Sequence, residues 1–220
     1  MNIKKLLSYF IPINIHQKKS KINHNLEITW NNGQLVLDSK NTNFSYGSLQ
    51  RVLRNGLNVI GFEHIINLKH IAVLGVAGGS VIKTLVDEIQ FKGKITGVEI
   101  DPETIDLANT YFGLNQIENL EIVIDDAENF VQTSTQKFGL IIIDIFQDNV
   151  MPDFLFEKVF IEKVLLLLEP NGFILFNTII NGKTEQMRND DFKKLFDSSK
   201  TRIRRLSKIE GNNELFIFNN

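Results

Sequence analysis

Four carboxylates stand where an α/β chain would present chemistry, each just after a run of strand-forming residues. Asp144 follows Ile141, Ile142 and Ile143, so it leaves a buried strand directly into whatever crevice lies beyond, with Phe146, Gln147 and Asp148 close behind. A carboxylate in that position can hold an amine or a cationic group, or act as general base on a nucleophile. Glu99 ends a second apolar run, Ile95 to Ile100, and from there can accept hydrogen bonds from both hydroxyls of a ribose. Asp125-Asp126-Ala127 ends a third. Asp126 either accepts from the exocyclic amine of adenine, with small Ala127 leaving room for the ring, or caps the helix that follows. Ahead of all of these, Gly75-Val76-Ala77-Gly78-Gly79-Ser80 breaks the apolar run Ile71–Leu74 and opens a helix-like stretch. Missing side chains there let backbone amides at a helix N-terminus approach a nucleoside-bearing ligand, and Glu99 follows at the roughly 20-residue distance such sites require. The plain alternatives are a tight packing turn, a helix cap and a solvated strand-end acid.

The elements that must position these groups alternate regularly from residue 69 onward. Strands are predicted at Ile71–Leu74, Ile95–Ile100, Leu120–Ile124, Leu140–Asp144 and Phe173–Asn177, and helices at Ser80–Phe91, Pro102–Phe112, Ala127–Thr133, Asp153–Leu168 and Glu185–Ser198. Continuous apolar strands alternating with amphipathic helices imply a parallel sheet covered on both faces. Asp101-Pro102 is a helix entry, with the aspartate as cap. The last two strands, Thr201–Lys208 and Glu214–Phe218, have only Ile209 to Asn213 between them, so they pair antiparallel. Near the N-terminus, Leu26–Trp30 and Gln34–Asp38 alternate around Asn31-Asn32-Gly33 and read as a hairpin. Residues 41–46 are loop-like and Ser48–Leu57 is helical. The fold class is therefore α/β, with an N-terminal helix and β-hairpin module over residues 1–60 and a Rossmann-like domain over 61–220.

Composition narrows the function classes. At 220 residues with 43% hydrophobic content, the chain is long enough for one substantial core. A formal charge of −2 gives no general case for nucleic acid or membrane surface, and zero cysteines exclude disulfides, thiolate metal sites and a cysteine nucleophile. His16, His24, His64 and His70 have no ligand spacing with carboxylates, so no metal is expected. Lys4 and Lys5 before Leu6–Ile15 mimic a signal peptide, but Pro12, Asn14 and the basic stretch Gln17–Lys21 interrupt the pattern. The expectation is a short amphipathic helix before Pro12 and a cytoplasmic protein without a membrane partner. The cluster Lys200, Arg202, Arg204, Arg205 and Lys208 reads as an edge strand guarded by charge rather than as a nucleic-acid surface.

An α/β sheet finishing in an antiparallel hairpin resembles the Rossmann-like class of S-adenosylmethionine-dependent methyltransferases. From about residue 26 to 178 the chain further resembles the spermidine synthase family, through Leu35–Asp38, Asn43–Tyr46, Val73–Ser80, Val98–Asp101, Asp126-Ala127, Asp144, Phe154–Phe156, Leu168–Gly172 and Asn177. The resemblance implies a seven-stranded sheet with its last strand antiparallel, and a small β module that covers the site and assists dimerisation, so a homodimer is allowed. It implies a cofactor-binding set of Gly75, Ala77, Gly78, Gly79, Glu99, Ile100, Asp126, Ala127 and Asp144, with Glu99 on ribose and Asp126-Ala127 on adenine. Asp144 is the expected catalytic residue, and Tyr46, Phe146, Gln147 and Asp148 the expected acceptor wall for a small-molecule substrate. The chain departs from the family's aminopropyltransferases at three points, one of them the glutamine and histidine-or-glutamine positions around the family tyrosine, which are not recovered because Gly47 follows Tyr46. Gly78 stands where their glycine loop carries an aspartate, and Gln147 where their fourth-strand motif carries its second one. An aspartate suits the free amine of decarboxylated S-adenosylmethionine, whereas a glycine suits the carboxylate of the intact form. The expectation is therefore methyl transfer from intact S-adenosylmethionine. The alternatives are spermidine synthesis from the decarboxylated cofactor with Asp148 as the replacement acid, and a scaffold that has lost its chemistry.

Overall fold

A computed structural model describes residues 3–39, 43–147, 150–196 and 202–219 of the chain. Its large sheet contains β5 (His70–Leu74), β6 (Lys94–Glu99), β7 (Leu120–Ile124), β8 (Phe138–Ile143), β9 (Leu168–Ile179), β10 (Arg202–Ile209) and β11 (Asn213–Asn219) in the spatial order β10-β11-β9-β8-β5-β6-β7. Strands β5 to β9 run parallel, while β11 inserts antiparallel between β9 and β10. The terminal hairpin expected from the short link at residues 209–213 is thus present. The chain order reverses at β5, which lies between β6 and β8. In such a sheet the crevice outside the strands' carboxyl ends at that reversal is where ligands bind.

Period-two alternation divides the core. Ile71 and Val73 of β5, with Leu140 and Ile142 of β8, face α2 (Gly47–Ile60), α4 (Ser80–Lys83) and α5 (Pro102–Phe112). Ala72 and Leu74, with Ile141 and Ile143, face α6 (Ala127–Thr133), α7 (Lys158–Leu166) and α8 (Lys183–Phe196). Helix α2, grouped by sequence with the N-terminal module, packs Val52, Leu53 and Leu57 into the first of these cores. Several phenylalanines fill the core on the second face, where Phe192 packs within ring contact of Phe156, Phe176, Phe216 and Phe218.

Two helices differ from expectation. The one predicted continuously over Ser80–Phe91 widens after α4 into a π-helical turn, Thr84–Glu88. Thr84 Oγ1 donates to Ser80 O at 3.1 Å, and the Ile89 amide reaches back five residues to Thr84 O at 3.0 Å. The one predicted over Asp153–Leu168 is a 3₁₀ turn, Asp153–Phe156, then extended Glu157, then α7; Leu168 already belongs to β9.

The N-terminal module is larger than the predicted hairpin. After α1 (Ile3–Leu7) come β1 (Ile13–Ser20), β2 (His24–Asn31), β3 (Gln34–Ser39) and β4 (Asn43–Ser45), an antiparallel meander whose middle pair is that hairpin. Strand β1, an edge strand, runs through most of the basic stretch Gln17–Lys21, for which no strand is predicted. Its Asn14 and Gln17 amides both donate to Glu27 of β2, at 2.9 and 3.0 Å. The module sits on α5 through an apolar cluster in which Leu26, Ile28 and Leu37 meet Leu107. A four-residue helix α3 (Phe62–Ile65) then leads into β5. Among the described residues no helix is long and apolar enough to cross a membrane.

Candidate active site

The β5–β8 register lays Asp144 alongside the end of β5. Asp144 N donates to Leu74 O at 2.8 Å, and its own carbonyl lies so close to Gly75 that a Cβ there would come within 2.1 Å of it. Gly75 has φ +88°, which glycine adopts at little cost. The glycine loop therefore begins with two backbones in contact, and the cleft opens above them with about 760 Å³ of unfilled space, part of it open to solvent.

Hydrogen bonding around the loop is nearly closed. Gly75 N donates to Val98 O, and Val76 N and Ala77 N both donate to Glu99 Oε2 at 3.1 and 3.0 Å. Gly79 N donates to Val76 O, and Ser80 N to Ser45 Oγ at 3.2 Å. Among the described residues, the buried Gly78 N–H is the one amide of this loop without an acceptor. A buried donor left in that state costs about 1–3 kcal/mol. Glu99 is itself enclosed: Oε1 accepts from Asp101 N at 3.1 Å, and burial pushes its pKa up against the opposing pull of the loop amides.

Asp144 accepts from Asn177 Nδ2 at 2.9 Å. Burial raises its pKa to about 6; the Asn177 bond lowers it and the nearby Glu99 charge adds to the rise. On the third strand end, Asp126 Oδ1 caps α6 by accepting from Glu128 N at 2.7 Å, leaving Oδ2 toward other partners. Asp125 is held by Asn129. Both Asp125 and Asp126 line the cleft.

Most of the residues predicted from sequence meet here. Gly75, Ala77, Glu99, Ile100, Asp126, Ala127, Asp144, Phe146 and Gln147 all line the cleft. Gly78 and Gly79 lie behind that wall. A side chain at Gly78 would press on Ser45 Cβ at 2.8 Å, and one at Gly79 on Leu114. Tyr46 is not on the wall either. With φ +73° it leads into α2 and stacks on Phe112 at 4.4 Å, and burial pushes its phenol pKa up. Asp148 lies outside the described residues. Sequence reasoning misses Ile22, Asn23 and Leu49, which the N-terminal module and α2 bring to the cleft, and Pro152 and Phe154 from the loop after β8. No local pattern marks them, because only tertiary packing brings them there. Among the described residues, the lining contains four carboxylates and no lysine, arginine or histidine, so it favours a cationic ligand. Among the same residues no group of three or more potential metal ligands is gathered. Arg205 of the predicted basic strand is engaged by Asp190 and Glu214.

Comparison with known proteins agrees with this architecture. The spermine/spermidine synthase domain matches residues 53–200. A polyamine aminopropyltransferase of Vibrio vulnificus is 26% identical over 131 residues, covering 58% of this chain and 44% of that protein. An eEF1A lysine and N-terminal methyltransferase homolog of Drosophila melanogaster is 26% identical over 134 residues, covering 55% and 20%. The chain thus matches less than half the length of either relative. Among solved structures, spermidine synthase from Thermotoga maritima superimposes with a TM-score of 0.67 at 20% identity, over 94% of this chain and 72% of that one. Human methyltransferase-like protein 13 in complex with SAH gives 0.65 at 20% identity, over 78% and 82%. With the family match spanning the glycine loop, the strand ends that carry Glu99 and Asp126, and Asp144, the chain belongs to the spermine/spermidine synthase domain family.

Proposed function

We propose that the chain is a transferase that binds intact S-adenosylmethionine and methylates an amine held at Asp144. The observation that carries this reading is Gly78. It has no side chain where the family's aminopropyltransferases hold an acid, so this position of the loop carries no negative charge to repel the cofactor's carboxylate. The cleft fits the rest of that group: Glu99 beside a ribose, Asp126 Oδ2 and Ala127 beside an adenine, and an acidic wall around a sulfonium. When bound, the cofactor supplies an electrophilic methyl group. The protein's own part is positioning and proton handling. Asp144, with Asn177 fixing one oxygen, accepts a proton or hydrogen bond from the acceptor amine, while Phe146 and Phe154 wall off water. The names of the relatives support an amine acceptor, since polyamine aminopropyltransferases and lysine and N-terminal methyltransferases all act on amines.

A second reading is favoured by the lack of a basic residue among those described on the cleft wall. The decarboxylated cofactor has no carboxylate to satisfy, and aminopropyl transfer would follow. Calorimetry with both cofactors separates the two. Wild type is expected to bind the intact form more tightly. Gly78→Asp is expected to reverse the order, lowering affinity for the intact form about tenfold to a hundredfold relative to the decarboxylated form. Gly78→Ala, which brings the same contact with Ser45 but no charge, should leave the ratio unchanged. Tighter binding of the decarboxylated form to wild type would establish the second reading instead.

A further inference from the structure

A helix cap engages one carboxylate oxygen, yet Asp101 uses both. Its Oδ1 caps α5 through Glu103 N at 3.0 Å. Its Oδ2 accepts from two side chains of the N-terminal module, the Ser20 hydroxyl and Asn23 Nδ2, the latter at 2.7 Å. Ser20 Oγ in turn accepts from the amides of Ile22 and Asn23, at 2.9 and 3.1 Å, so one hydroxyl gathers two amides of the β1–β2 turn. Asp101 is only 1% exposed, and hydrogen bonds to a buried charged group are stronger than those between neutral ones. Ile22 and Asn23, the residues this turn carries, are part of the same cleft wall as Glu99 and Ile100. The network then continues inward: Asp101 N donates to Glu99 Oε1, and Glu99 Oε2 receives the loop amides of Val76 and Ala77. One hydrogen-bonded path thus links the turn to the glycine loop.

We infer that Asp101 is a positioning residue that straps the Ser20–Asn23 turn over the cleft, so that the N-terminal module retains the bound adenosyl ligand. The inference rests on the adenosyl reading of the cleft. The strap is separable from the module's attachment, because Leu26, Ile28 and Leu37 pack on Leu107 of α5 independently of it. Removing the Ser20 hydroxyl therefore takes away one of the two side-chain donors to Asp101 and the acceptor of the Ile22 and Asn23 amides, loosening the turn while leaving the module seated and the α5 cap intact. A strap over a bound ligand acts mainly on dissociation.

The experiment measures association and dissociation rates of S-adenosylhomocysteine on the full chain for wild type, Ser20→Ala and Ser20→Thr, with amide hydrogen exchange at residues 20–24. Ser20→Ala is expected to release the ligand about fivefold to tenfold faster with its association rate within about twofold of wild type, and to exchange faster at Ile22 and Asn23. Ser20→Thr, which restores the hydroxyl, is expected to return both readouts toward wild type. Release from Ser20→Ala at the wild-type rate overturns the inference. So does equally fast release from Ser20→Thr, because the effect would then be general loosening rather than the hydroxyl. Wild type that binds no S-adenosylhomocysteine overturns the adenosyl reading itself, a result distinct from either.

Discussion

Gly75→Ala is expected to lower the stability of the fold by about 3 kcal/mol or more and to abolish adenosyl-ligand binding. Two costs combine at this position. The backbone has φ +88°, where an L side chain is strained by about 1–2 kcal/mol. The new Cβ would also stand 2.1 Å from the carbonyl oxygen of Asp144 and 2.8 Å from its carbonyl carbon, and both are backbone atoms. They have no rotamer to move into, because Asp144 N is paired with Leu74 O at the end of the β5–β8 ladder. Relief requires opening that ladder where the candidate catalytic carboxylate emerges. Gly211 separates the two costs. Its φ is +99°, but a Cβ added there would meet nothing within 4 Å, so Gly211→Ala should lose only about 1 kcal/mol. Urea unfolding of the two variants tests the argument. A Gly75→Ala loss no larger than that of Gly211→Ala would mean that the contact with Asp144 is not what requires glycine.

That contact also marks the limit of what sequence can reveal. The glycine-rich turn, the three isoleucines before Asp144 and the acid after the second strand are local signals, and most of the residues they single out line one cleft. Asp101 as the α5 cap is equally local, because Asp-Pro at a helix entry needs only its own neighbours. The same residue's second oxygen is not legible, since its partners Ser20 and Asn23 lie about 80 positions away, at and just beyond the basic stretch Gln17–Lys21, where no strand or turn is predicted. Asn177 falls between these cases. Its place at the end of β9 follows from the apolar run before it, but its bond to Asp144 depends on the β8–β9 register that pairs Ile143 with Phe176. Tyr46 shows the opposite error. A family motif brings it into the acceptor wall, whereas a positive φ and stacking on Phe112 turn its ring toward α5 and the back of the glycine loop. Strand β4 escapes notice because three residues in a loop-like stretch carry no periodicity.

Asp144→Asn is expected to leave a protein that is more stable and nearly inactive. A general base or amine-holding carboxylate contributes about 10²–10⁴-fold to rate, so turnover measured as S-adenosylhomocysteine release with an amine acceptor should fall by at least a hundredfold. Stability should move the other way. The Asp144 pKa rises from 3.8 to about 6 in the fold, chiefly through burial, so the folded chain holds this proton more tightly than the unfolded one. Wild-type stability therefore declines as pH rises from about 4 to about 6 and no longer changes on this account above that range. The rise corresponds to roughly 3 kcal/mol at most at neutral pH. Asparagine cannot ionise, and its Oδ1 can still accept from Asn177, so the variant avoids this loss. Its advantage over wild type should be largest at pH 7, shrink through pH 5 and vanish near pH 4. Wild-type kcat/KM should rise with pH through an inflection near 6 as Asp144 ionises. Denaturation of both proteins at pH 4, 5.5 and 7 supplies the check. An advantage independent of pH would show that the carboxylate's charge is not what the fold resists. Full turnover by Asp144→Asn would remove Asp144 from the chemistry and leave it as the residue that closes β8 against Asn177.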